Sequence, residues 1–107
     1  MSDEYVRVAR VSDVAPGTGK AVALGSREIA LFNVDGRFYA LDNTCPHQGG
    51  PLAEGWIEGG AVTCPWHAWT FRLSDGGMAL GDYTRVDAFD VRVEGDEVLV
   101  SRTPRPA

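Results

Sequence analysis

With 107 residues the chain has the length of one small domain, expected to span 1–107, and a second domain is not expected. A net charge of −5 and a pI near 4.8 argue against nucleic acid and anionic membrane surfaces as partners and favour a basic protein. No run approaches the about 20 apolar residues of a membrane span, and Asp3 and Glu4 stand where a signal peptide needs bases, so a cytoplasmic location is expected.

Turn signals recur along the chain: Pro16-Gly17, Asp35-Gly36, Gly49-Gly50-Pro51, Gly59-Gly60, Asp75-Gly76-Gly77 and Glu94-Gly95-Asp96. Short β-prone runs separate them, the pattern of an all-β sandwich or barrel. Ser12–Ala15 reads as the one helical turn. Gly17-Thr18-Gly19-Lys20 lacks the spacing of either nucleotide fingerprint and reads as a turn between strands. Asp35-Gly36 is the clearest hairpin, joining Ile29–Val34 to Arg37–Leu41 through a turn with positive φ at both central residues. Glu94-Gly95-Asp96 should join Phe89–Val93 to Glu97–Ser101. Phe89, Val91 and Val93 alternate with Asp90 and Arg92, whereas Val86 and Ala88 fall on the other parity, which suggests a β-bulge at Ala88-Phe89. Thr103 to Ala107 reads as a frayed tail.

The chemistry lies in Cys45-Pro46-His47-Gln48-Gly49-Gly50-Pro51 and Cys64-Pro65-Trp66-His67, which hold both cysteines and both histidines of the chain. Two cysteines make no disulfide framework, and in a reducing compartment such residues bind metal or do chemistry. Cys45, His47, Cys64 and His67 make a four-ligand site for zinc or for an iron–sulfur cluster. Zinc sites usually group Cys with Cys and His with His. Here each loop offers one of each, which suits a binuclear site where the thiolates take one iron and the imidazoles the other. A cluster's sulfides accept hydrogen bonds from backbone N–H groups, and Gly lets the backbone approach closely.

On C-x-H, sixteen residues, then C-x-x-H, the sequence resembles the Rieske family, strongly over about 43–71 and more loosely over nearly all the chain. The resemblance implies an antiparallel β-sandwich of small sheets, with two cluster loops at one tip and a Rieske [2Fe–2S] cluster as cofactor. It places Cys45 and Cys64 on the inner iron and His47 and His67 on the outer, solvent-near iron. Respiratory members carry a disulfide and Ser and Tyr donors where this chain has Gly50, Trp66, Trp69 and Phe71, and fewer donors lower the potential.

The chain is therefore similar to soluble low-potential ferredoxins that carry one electron from a flavin reductase to a terminal, aromatic-ring-hydroxylating oxygenase. Its loops are also similar to the small subunit of NAD(P)H-dependent nitrite reductase, and a Cys₂His₂ zinc module is the third reading. The implied partners are a flavin-dependent reductase and an oxygenase or a nitrite reductase large subunit, with the free chain a monomer. Catalysis by this chain alone is not expected, because an oxygenase needs a second iron and both histidines are committed. Gln48, Pro51 and Trp66 are expected on the rim as docking residues, with Trp66, Trp69 and Leu52 as the competing cover of the cluster. Trp56, Phe38 and Phe71 are assigned to packing.

Overall fold

Nine strands, all paired antiparallel, build the described part of the chain in a computed structural model that covers residues 5–25, 27–43, 51–65, 70–77 and 86–104. They are β1 (Tyr5–Arg10), β2 (Thr18–Leu24), β3 (Arg27–Val34), β4 (Arg37–Asp42), β5 (Trp56–Glu58), β6 (Ala61–Thr63), β7 (Thr70–Arg72), β8 (Ala88–Glu94) and β9 (Glu97–Pro104). A six-stranded sheet runs β1-β9-β8-β4-β3-β2, and a three-stranded sheet runs β5-β6-β7. This is the all-β architecture expected from the turn spacing, and its antiparallel sheets are those the resemblance implies.

The hairpins follow from residues able to take positive φ. Asp35 and Gly36 adopt φ 54° and 90° between Val34 and Arg37, and Gly59 and Gly60 adopt 60° and 78° between Glu58 and Ala61. Gly95, at φ 64°, turns β8 into β9 through a two-residue loop. The β2–β3 hairpin turns at Gly25, also φ 64°, a signal too small to stand out in the sequence.

Two hydrophobic cores share strand β3. Ile29 and Leu31 face one core with Val22, Leu24, Phe38, Phe89, Val98 and Val100. Ala30 and Phe32 face the other, with Leu41, Leu52, Val62, Cys64, Phe71, Leu73, Val86 and Ala88, between the two sheets. Alternation sends successive side chains to opposite faces, and on β3 both faces are covered, so its run from Ile29 to Phe32 is fully buried.

That sharing corrects the expected bulge. Ala88 belongs to the inter-sheet core and Phe89 to the other, so the change of parity reflects burial on both faces. The β4–β8 register is regular there, pairing Ala40 with Phe89 and Leu41 with Ala88. The irregularity lies beyond, between Phe89 and Val91, where Phe89 pairs with Pro104 but Val91 with Val100. The extra residues are on β9, and Ser101 Oγ accepts a hydrogen bond from the Thr103 N–H at 3.3 Å within them. Thr103 and Pro104 thus belong to a strand rather than a frayed tail, while 105–107 lie outside the described residues. The expected turn at Ser12–Ala15 is a 3₁₀ turn at Val11–Asp13, and it is not the one such turn: a second lies at Leu52–Glu54.

Gly17 makes a turn at φ 81°, while Thr18, Gly19 and Lys20 begin β2. Gly19 is needed for close approach rather than for phosphate: a Cβ there would lie 2.6 Å from the Phe32 ring and 2.9 Å from the Ala53 carbonyl oxygen.

Candidate metal centre

Strand register brings the described ends of the two ligand-bearing segments to one end of the small sheet. Trp56 pairs with Thr63 and Thr63 with Thr70, forming its end row. The chain leaves the first loop through Pro51 and a 3₁₀ turn at Leu52–Glu54 and enters that row at Trp56. From the same row it departs at Thr63 into Cys64 and returns at Thr70.

Asn43 closes the first loop at its base. Its backbone carbonyl accepts the Leu52 N–H at 2.8 Å, and its side-chain Oδ1 accepts the Ala53 N–H at 2.8 Å. Its Nδ2 donates to Glu28 Oε1 at 2.8 Å, and its own N–H donates to the Glu28 carbonyl at 3.2 Å. Buried at 4% exposure, it joins the two ends of segment 43–52 to the first residues of β3. An Asn directly before a ligand loop was the available signal, and the sequence reading did not use it. The second loop is closed by the Thr63–Thr70 pair, whose hydroxyl oxygens are 3.1 Å apart.

Beneath the first loop, Arg27 donates to Asp42 at 3.1 Å and to Asp87 at 2.9 Å, joining the ends of β3 and β4 to the start of β8. Burial pulls the guanidinium pKa down, but the hydrogen bonds and charges of Asp87 and Asp42 outweigh it and hold it above the ordinary arginine value.

Of the four expected ligands, Cys64 lies within the described residues. It is fully buried, free of any disulfide, and packed with Leu52, Val62 and Phe71 at the exit of β6. Cys45, His47 and His67 lie outside the described residues. Among the described residues no group of three or more metal-ligating side chains comes together. Pro51 is half-buried at the loop exit, and Gln48 and Trp66 lie outside the described residues, as do Gly50 and Trp69. Leu52 is fully buried in the same core as Cys64, as a cover for the site requires. Phe38 and Phe71 are packed as expected, but Trp56 is not: it is 54% exposed. Ile57 turns into the inter-sheet core, so Trp56 and Glu58, on the opposite parity, face outward.

The donor chemistry fits a [2Fe–2S] group. A buried unpaired thiol stands at the mouth of one loop, and the base of the other loop is fixed at the same end of the sheet by Asn43. With that thiol, the chain has two cysteines and two histidines in all, the donor types such a group takes. Among the described residues no helix is long and apolar enough to cross a membrane.

Comparisons with known proteins agree with this geometry. The Rieske [2Fe-2S] domain family matches residues 4–90. The ferredoxin component of the alkene monooxygenase system of Xanthobacter autotrophicus is 36% identical over 104 residues, covering 96% of this chain and 85% of that protein. A chain in a solved complex of reduced oxygenase and oxidised ferredoxin in carbazole 1,9a-dioxygenase is similar at TM-score 0.86 and 30% identity, covering 97% of this chain and 98% of its own length. A putative NADH-dependent nitrite reductase small subunit from Mycobacterium tuberculosis has TM-score 0.85 over 96% of each chain, but at 24% identity that likeness speaks to the fold alone. The chain belongs to the Rieske [2Fe-2S] domain family and is a ferredoxin-type electron carrier, not itself a catalyst, with one Rieske cluster as its cofactor.

Proposed function

We propose that this chain is a low-potential ferredoxin of the cytoplasm that takes one electron from a flavin-dependent reductase and delivers it to a terminal oxygenase. Cys45 and Cys64 would hold one iron through their thiolates, and His47 and His67 the other through their imidazoles. The bound cluster supplies a one-electron couple. The chain's own residues hold it at one end of the small sheet, exclude water from the thiolate side through Leu52 and Phe71, and leave the imidazole side toward the partner. Gln48, Pro51 and Trp66 frame that side. The observation that carries the reading is the match, over 96% of this chain and 85% of the other protein, to the ferredoxin component of a monooxygenase system.

Phe71 supports the low potential. It is fully buried in the core that contains Cys64, and it has no hydroxyl to donate toward a sulfide. A midpoint near the low end of the Rieske range, about −150 mV, is expected. The proposed oxygenase is of the aromatic-ring-hydroxylating class, the class of the carbazole system, with alkene oxidation as the competing outcome.

Reconstitution tests this. NADH, a flavin-dependent ferredoxin reductase and the carbazole dioxygenase terminal oxygenase should form hydroxylated product only when the holo-protein is present. Reduction of the protein by the reductase with no delivery to that oxygenase or to the alkene monooxygenase would contradict the proposal. Delivery to a nitrite reductase large subunit instead would install that reading.

A further inference from the structure

We propose that the outer face of the three-stranded sheet, centred on Trp56 and Glu58 and continued by the exposed Glu54 of the preceding 3₁₀ turn, is a second part of the docking surface. It would receive a redox partner that presents an apolar recess rimmed by lysine or arginine. This rests on the electron-carrier reading above and extends it to residues remote in sequence from the ligand motifs.

Large exposed hydrophobic side chains are rare among the described residues: Trp56 at 54% and Val93 at 45%. Val93 lies near the β8–β9 turn, at the end of the large sheet away from Asn43. Trp56 lies at the cluster end. It pairs with Thr63, the residue before Cys64, and paired strands run about 5 Å apart. A partner seated on Trp56 is thereby brought beside the loops, where electron tunnelling, which decays steeply with distance, is fastest.

The surroundings complete one half of an interface, an aromatic centre with a charged rim. Glu54 and Glu58 are exposed and have no ion-pair partner among the described residues. Arg72, the base on the same face, is engaged by Asp75 at 3.0 and 3.1 Å. The face therefore presents an indole with the exposed Glu58 two residues on and the exposed Glu54 two residues before it, neither ion-paired among the described residues, on a chain of net charge −5. A recess with cationic edges complements both features, and the opposite charges would raise the rate of encounter.

Cytochrome c, a basic protein with an exposed haem edge, is a suitable acceptor, and ferricyanide a small one that needs no docking. One electron leaves the dithionite-reduced protein and converts ferric to ferrous iron in either acceptor. By stopped flow at low salt, Trp56→Ala should slow transfer to cytochrome c by about tenfold, the loss of a central aromatic contact, and leave ferricyanide unchanged. Glu54→Gln/Glu58→Gln should slow cytochrome c severalfold and flatten the salt dependence. Asp35→Asn/Asp96→Asn, removing equal charge at the far hairpins, should do much less. An unchanged rate to cytochrome c in Trp56→Ala, equal losses toward both acceptors, or equal effects of the two charge pairs would overturn the proposal. Wild-type protein that reduces neither acceptor would instead overturn the electron-carrier reading.

Discussion

Every polar group of Asn43 is engaged, and each partner fixes something different. Ala53 and Leu52 hold the exit of the first ligand loop, and Glu28 holds its entrance against β3. Asn43→Ala would leave the Ala53 N–H, in a residue only 7% exposed, without its acceptor, at a cost of about 1–3 kcal/mol. The variant should unfold at lower denaturant and lose its visible absorbance to a chelator faster than wild type. Equal rates of loss would show that the ligands, not the base, determine the loop. Arg27 acts below the same loop by joining Asp42 and Asp87, but its side chain is 36% exposed, so its pairs are weak and screened by salt. Its raised pKa means that its contribution is complete below the unfolded arginine value and is lost only as pH rises through the still higher folded one. Across the neutral and mildly alkaline range Arg27 therefore gives stability no slope with pH.

At the scale of elements, strand pairs with tight turns were legible, because Asp35-Gly36 and Gly59-Gly60 can take backbone angles that other residues avoid. Burial on two faces was not legible. Ala88 and Phe89 look like a slip of register until β8 is seen to serve two cores. The role of Gly19 was hidden for a similar reason, since the Phe32 ring and the Ala53 carbonyl that require it come from distant segments. Gly19→Ala should displace the fully buried Phe32 or the 3₁₀ turn carrying Ala53. Overpacking of this kind costs about 1–3 kcal/mol, so the thermal midpoint should fall by several degrees. Gly36→Ala makes a useful comparison, because a Cβ there meets nothing within 4 Å and only its φ of 90° opposes the change. A thermal midpoint in Gly19→Ala equal to that of wild type would show that Phe32 and Ala53 yield without cost, whereas Gly36→Ala gives the size of a loss from backbone strain alone.

For the whole molecule, the fold and cofactor were legible because two thiolates and two imidazoles at fixed spacing leave few alternatives, and turn residues announce the strands. Trp56 was misread as packing although Trp56-Ile57-Glu58 already carried the answer. Ile57 takes the inward face, so its neighbours must point out. The ligand assignment is the central claim, and the composition makes it open to a single spectroscopic test. With only two histidines and two cysteines in the chain, any imidazole on the cluster belongs to His47 or His67 and any cysteine thiolate to Cys45 or Cys64. The measurement is EPR with nitrogen hyperfine spectroscopy on the dithionite-reduced protein, prepared with ¹⁴N- or ¹⁵N-histidine, alongside iron and sulfide counts on the same sample. The account predicts two irons and two sulfides per chain and couplings from two histidine nitrogens that change with the label. One zinc without sulfide, or a cluster whose spectrum ignores the histidine label, would contradict it.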